Sequence, residues 1–194
     1  MLREWVNRIW RALLAPRMLY GWRSADGHWL KHTRISSSTR IEARQLLLLG
    51  DHVYIGHHNL VDASGGLSLD EGVQVTSHCA LLTHSSHHAL RLAARAYWGN
   101  PQPAGFIKAA THIGAYSFIG PHSVIAPGSR IGRGVLVRAF SYVSGEVPDF
   151  AVVGGQPARV LGDTRQIDED WLAAHPDSRA DYDAWALHRP SSLP

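Results

Sequence analysis

The sequence predicts a mainly-β chain wound as a β-helix of six-residue repeats, flanked by short helices at its two ends. Three observations carry this. Seven aliphatic residues stand six apart, Ile107, Ile113, Ile119, Ile125, Ile131, Val137 and Val143. Small residues follow several of them, as in Ile113-Gly114, Ile119-Gly120, Ile125-Ala126 and Ile131-Gly132. The same spacing reaches back through Ile35-Ile41-Leu47, then Leu49-Ile55-Val61-Leu67, then Leu69-Val75-Leu81, with a slip of two residues between runs. A period of six fits neither the 3.6 of a helix nor the bare alternation of a sandwich strand. It marks a chain that turns a corner every six residues and stacks each corner on the one before. The four runs hold 17 hexads.

Each segment has its own reading. Residues 1–34 carry seven Lys/Arg against two acids, and Leu2, Trp5, Val6, Ile9, Trp10, Leu13 and Leu14 fall at helical spacing before Pro16 ends the pattern. Such a basic, Trp-bearing amphipathic helix has two readings. It covers the open end of the β-helix or a neighbouring subunit, as solenoid ends require, or it lies on a membrane surface; the cap is preferred. Residues 35–162 are the β-helix. Residues 83–106 break the lattice as a loop excursion, and residues 163–194 form an acidic helical tail with Trp171 and Trp185.

Composition narrows the classes. The longest purely apolar run, Leu46–Leu49, is far too short to span a bilayer, and no signal-peptide pattern opens the chain. The single cysteine, Cys79, forbids an internal disulfide and suggests a reducing, cytoplasmic compartment. Its place two residues before Leu81 reads as a buried thiol. The net charge of +3 is slight, and no basic stripe interleaved with aromatics points to nucleic acid.

The run from Ile107 to its close in VPDFAVVGGQPARV resembles the hexapeptide-repeat acyltransferases, the group of maltose and galactoside O-acetyltransferases. It is nearer still to the O-acetyltransferases of bacterial capsule and O-antigen synthesis. The resemblance covers roughly residues 35–162. It implies a left-handed parallel β-helix of triangular section with three hexads per coil, hence between five and six coils. It also implies a homotrimer with active sites between prisms, acetyl-CoA as co-substrate, and no metal. The implied acceptor is a sugar hydroxyl of a surface polysaccharide or of its lipid-linked precursor, reached from the cytoplasm or from the inner face of the membrane.

Acyl transfer from a thioester to a hydroxyl needs a base for the hydroxyl proton, and histidine suits it because its ordinary pKa of about 6.5 lies near working pH. The family's catalytic histidine sits at the mouth of the loop, about five residues after the last aliphatic of the coil. Five after Leu81 is Ser86, so the resemblance leaves His87, preferred, and His84, with His88 behind them. On the acceptor side it implies Asn59 and Asp62, with Tyr97 and Trp98 available to stack on a sugar or on adenine. For the cofactor it implies Ala139, Ser144, Gly145 and Arg159. Gly145 stands where a Lys is frequent, and Arg133 and Arg138 are the nearby substitutes. Two other classes fit the scaffold. One is a zinc hydratase of the γ-carbonic-anhydrase type, for which His52 with His57 and His78 with His84 offer ligand spacings. The other is a non-catalytic scaffold of a polysaccharide assembly complex.

Overall fold

The computed structural model describes residues 2–187. The side chain of Leu2 and the part of the tail beyond Leu187 lie outside the described residues. The chain is a left-handed parallel β-helix with three walls. The first wall stacks Ile35, Ile55, Val75, Ile119, Val137 and Val153 in register. The second stacks Ile41, Val61, Leu81, Ile125 and Val143. The third stacks Leu49, Leu69, Ile113, Ile131 and Val147. These columns form one continuous core. Burying each such side chain contributes roughly 1.5–3 kcal/mol, and a residue of another character would fall on the same column in every coil.

The two-residue slips have a simple cause. Third-wall strands Leu47–Leu49 and Leu67–Leu69 are three residues long and turn both ends inward, with only the middle residue outside. The spacing of six therefore counts one wall twice there. Ile107 is a second correction: it stands outside the prism, paired antiparallel with Ser85 where the excursion leaves and returns. The wall resumes at Thr111–Ile113.

Glycine after the inward aliphatic is a packing requirement. A Cβ on Gly120 would come 2.6 Å from the Ala139 amide of the next coil. Corners are tied by polar side chains that bridge successive coils: the half-buried Thr39 donates through Oγ1 to Gly56 O, and the buried Ser123 and Ser117 donate through Oγ to Arg138 O and Gly132 O. Cys79 belongs to the same column. It is buried, its thiol donates to Gly120 O at 3.3 Å, and burial pushes its pKa up. It is a structural thiol.

The ends are closed differently from the sequence expectation. Helix α1, Leu2–Leu14, leaves Trp5, Val6, Ile9, Trp10, Leu13 and Leu14 exposed, so its stripe caps nothing in its own chain. The plug is the antiparallel pair β1, Met18–Arg23, and β2, Trp29–Ser36, whose Trp22 and Leu30 pack against the core. The Arg44 guanidinium covers Trp22 at 3.8 Å. The excursion carries a short helix, α2, His87–Ala93. At the other end strands Ala151–Gly155 and Ala158–Asp163 form an antiparallel hairpin on the first wall. The tail helices α3, Thr164–Ala174, and α4, Arg179–Ala186, follow it. Trp185 of α4 packs on Tyr116 and Phe150.

Candidate active site

Where the second wall gives way to the third, the chain leaves the prism after Leu82 and returns at Ala109. Thr83 O accepts from Ala109 N, closing the gap, and His84–Ser85 zips to Ile107–Lys108. This exit brings together residues one coil apart. His84 Nδ1 lies 2.7 Å from Asp62 Oδ2 and 3.0 Å from Ser64 Oγ. Phe106, on the returning strand's approach, stacks on the imidazole at 5.8 Å.

Asp62 is built as an acceptor. Its side chain is 2% exposed. Burial alone would raise its pKa, but hydrogen bonds from Ser64 N and from the Thr83 amide and hydroxyl outweigh that and hold the carboxyl well below the usual carboxylate range. An ionised Asp62 can only accept, so the proton between it and His84 belongs to Nδ1. That leaves the lone pair on Nε2, on a ring that is 39% exposed. Such a nitrogen can remove a proton from a bound hydroxyl.

His87, preferred from spacing, opens α2 and is exposed; its Nδ1 meets only Ser85 Oγ at 2.7 Å, and its ring lies against His88. Among the described residues no carboxylate bonds to it. Asn59 and Asp62, expected on the acceptor side, are both buried. Asp62 underlies His84, and Asn59 is buried, donating Nδ2 to Gly56 O and Thr76 O and accepting from Cys79 N. Asn59 is a corner tie. Asn59→Ala is expected to lower stability by about 2–4 kcal/mol, because it strands the buried Cys79 amide and the Thr76 carbonyl, while Gly56 O keeps Thr39; denaturant melts check this. Trp98 is 79% exposed, with Tyr97 at its edge.

The expected cofactor residues fall on two different edges. Ser144 and Gly145 follow the second-wall strand Tyr142–Val143, on the edge that carries His84. Ala139 lies on the opposite edge of the second wall, after Leu136–Val137. Arg159 is in the closing hairpin, which Gln156 ties to that edge by donating to Phe140 O. All four are exposed. Gly145 takes φ +83° with open space where a Cβ would stand. Arg133 is no substitute for the missing Lys: it ion-pairs with Asp149, covers Phe150 and donates to Trp185 O on another edge.

The histidines of the zinc reading also scatter. His52 stacks on His32, His57 bonds Ser36, and His78 stands in a column between His58 and His122. Among the described residues three metal-ligating atoms lie within 4.8 Å of one another at His32, Asp51 and His52, on an exposed corner away from His84. A cleft of about 510 Å³ on the third wall is lined by Asp70, His112, Arg130 and Asp149, and it does not include His84.

Ser64 and Phe106 were not read from the sequence. One coil is 20 residues here, Val61 to Leu81, so Ser64 lies directly below His84. That count was the available signal.

Comparison with known proteins agrees with this architecture. Residues 110–145 match the family model for the bacterial transferase hexapeptide (six repeats). No curated protein sequence matches the chain. Among solved structures, AntD, an N-acyltransferase from Bacillus cereus in complex with dTDP and 3-hydroxybutyryl-CoA, is similar with a TM-score of 0.56 at 17% identity, over 75% of this chain and 89% of that one. A hexapeptide-repeat-containing acetyltransferase from Vibrio cholerae O1 biovar eltor, complexed with acetyl-CoA, has a TM-score of 0.56 at 26% identity, over 64% of each chain. A maltose O-acetyltransferase from Clostridium difficile has a TM-score of 0.51 at 19% identity, over 66% of this chain and 64% of that one.

Proposed function

We propose that this chain, whose central coils are bacterial transferase hexapeptide repeats, is an acetyl-CoA-dependent O-acetyltransferase acting on a sugar hydroxyl, with His84 as general base. The observation that carries it is the buried Asp62 holding Nδ1 of a half-exposed His84 at the mouth of the excursion. In the reaction, Nε2 takes the hydroxyl proton as the oxygen attacks the thioester carbonyl carbon. Backbone amides are the donors suited to the tetrahedral oxyanion. Collapse breaks the C–S bond, and the imidazolium returns its proton to the departing CoA sulfur. Asp62 offsets the imidazolium charge throughout.

The split of cofactor residues over two edges supports a trimer. A groove holding His84, Ser144 and Gly145 on one side and Ala139 and Arg159 on the other needs two prisms side by side, and three copies close the ring. CoA in the AntD and Vibrio cholerae complexes agrees with the donor. The closing VVGGQPARV supports a sugar of a surface polysaccharide, made on the cytoplasmic side.

Thiol release from acetyl-CoA with a panel of sugars and nucleotide sugars tests the proposal. Acceptor-dependent release yielding a base-labile ester supports it. An alkali-stable amide product would make the acceptor an amine, as for an N-acyltransferase. No release with any acceptor, together with stoichiometric zinc in the purified protein, overturns it in favour of the hydratase.

A further inference from the structure

Helix α1 is amphipathic, and its apolar arc is uncovered. Trp5, Val6, Ile9, Trp10, Leu13 and Leu14 share one side, with Trp5 62%, Trp10 56% and Leu14 73% exposed. Glu4, Asn7, Arg8 and Arg11 occupy the other, and Arg3 projects between Trp10 and Leu14. The helix is held to the prism: Arg17 donates through Nη2 to Ala12 O and through its amide to Ser37 Oγ. Beside it the β1–β2 pair exposes Leu19, Tyr20 and Trp29. The same end of the molecule thus exposes further apolar and aromatic side chains.

The charge decides the occupant. Arg3, Arg8, Arg11 and Arg17 stand against the single acid Glu4 over residues 2–17. A second copy would bring the same sign, whereas an anionic lipid surface complements it. Trp with Arg on a short helix is the composition of an interfacial segment. At 13 residues the helix is about 20 Å long, short of the roughly 30 Å of a bilayer core. No helix among the described residues is long and apolar enough to cross a membrane.

We infer that α1 lies flat in the interface of an anionic bilayer, its Trp5–Trp10–Leu14 arc in the acyl boundary and its arginines among the headgroups. His84 stands in the third coil, two coil spacings of about 4.8 Å from the plugged end, so a saccharide carried on a membrane lipid comes within reach of it. That consequence rests on the acyltransferase reading; the membrane contact does not.

Co-sedimentation of the full chain with vesicles of phosphatidylcholine, with and without phosphatidylglycerol, tests it. The wild type is expected to pellet with the anionic vesicles and to be released by salt. Trp5→Ala with Trp10→Ala should weaken partition at least about tenfold, and Arg3, Arg8 and Arg11 each changed to Gln on the order of fivefold apiece. Neither set should alter thiol release with a soluble acceptor or the mass in solution, since all five side chains are solvent-facing. Wild-type protein remaining in the supernatant, or equal binding to neutral and anionic vesicles, overturns the inference. So does a tryptophan variant whose oligomeric mass falls, which would assign the arc to a subunit contact. Vesicle binding without thiol release would sink the acyltransferase and leave the membrane contact standing.

Discussion

His84→Ala is expected to lower acetyl transfer about 10²–10⁴-fold with the KM for acetyl-CoA little changed, while His87→Ala leaves kcat near wild type. The difference follows from orientation. Both rings are accessible, but only His84 has Nδ1 committed to a buried carboxylate and therefore Nε2 free as a base. His87 shares its Nδ1 with a serine hydroxyl on an exposed helix start. Single-turnover acyl transfer with each variant checks this. A large loss at His87 with His84→Ala active would return the site to the position favoured by spacing alone.

The second large effect belongs to Asp62→Asn. An amide can donate to His84 Nδ1, which moves the ring proton to Nε2 and removes the basic lone pair from the reacting side; a kcat loss of about 10²–10⁴-fold is expected. It also offers Thr83 and Ser64 one acceptor oxygen in place of two, costing on the order of 1–3 kcal/mol for each buried donor left unmatched. The pH dependence has a definite sign. Asp62 has a folded pKa depressed below its unfolded value of about 3.9. It therefore contributes stability above that value, and the contribution is lost as pH falls through the folded pKa. The wild type should melt progressively earlier below about pH 4, and Asp62→Asn should be lower at neutral pH and flatter in acid. Thermal melts across that range, read with the kinetics, separate the two roles.

The walls were legible because a stacked coil must place an aliphatic at the same phase in every turn, and Ile119, Ile125 and Ile131 keep that phase without interruption. Less visible was anything set by neighbours in adjacent coils. Asp62 and Asn59 read along the chain as acceptor-side polar residues or as coil-corner residues, and the 20-residue coil places one under His84 and the other under the Cys79 amide. His84 and His87 are hard to separate for the same reason: counting from Leu81 measures distance along the backbone, while the carboxylate beside His84 lies across a coil. Amphipathicity shows that a face wants cover, not which element supplies it: within residues 1–34, Trp22 and Leu30 pack on the core from strands, while the stripe of α1 is exposed.

The excursion enters and leaves the prism at a single point, with His84–Ser85 clasped to Lys108–Ile107 and Thr83 to Ala109. Whatever lies between those clasps is topologically a closed hoop hung on the coil, so its length and composition can change without altering the phase of any wall. On the proposed function, the hoop is a separable cassette: a segment transplanted between residues 86 and 106 is expected to leave the Asp62–His84 pair in place.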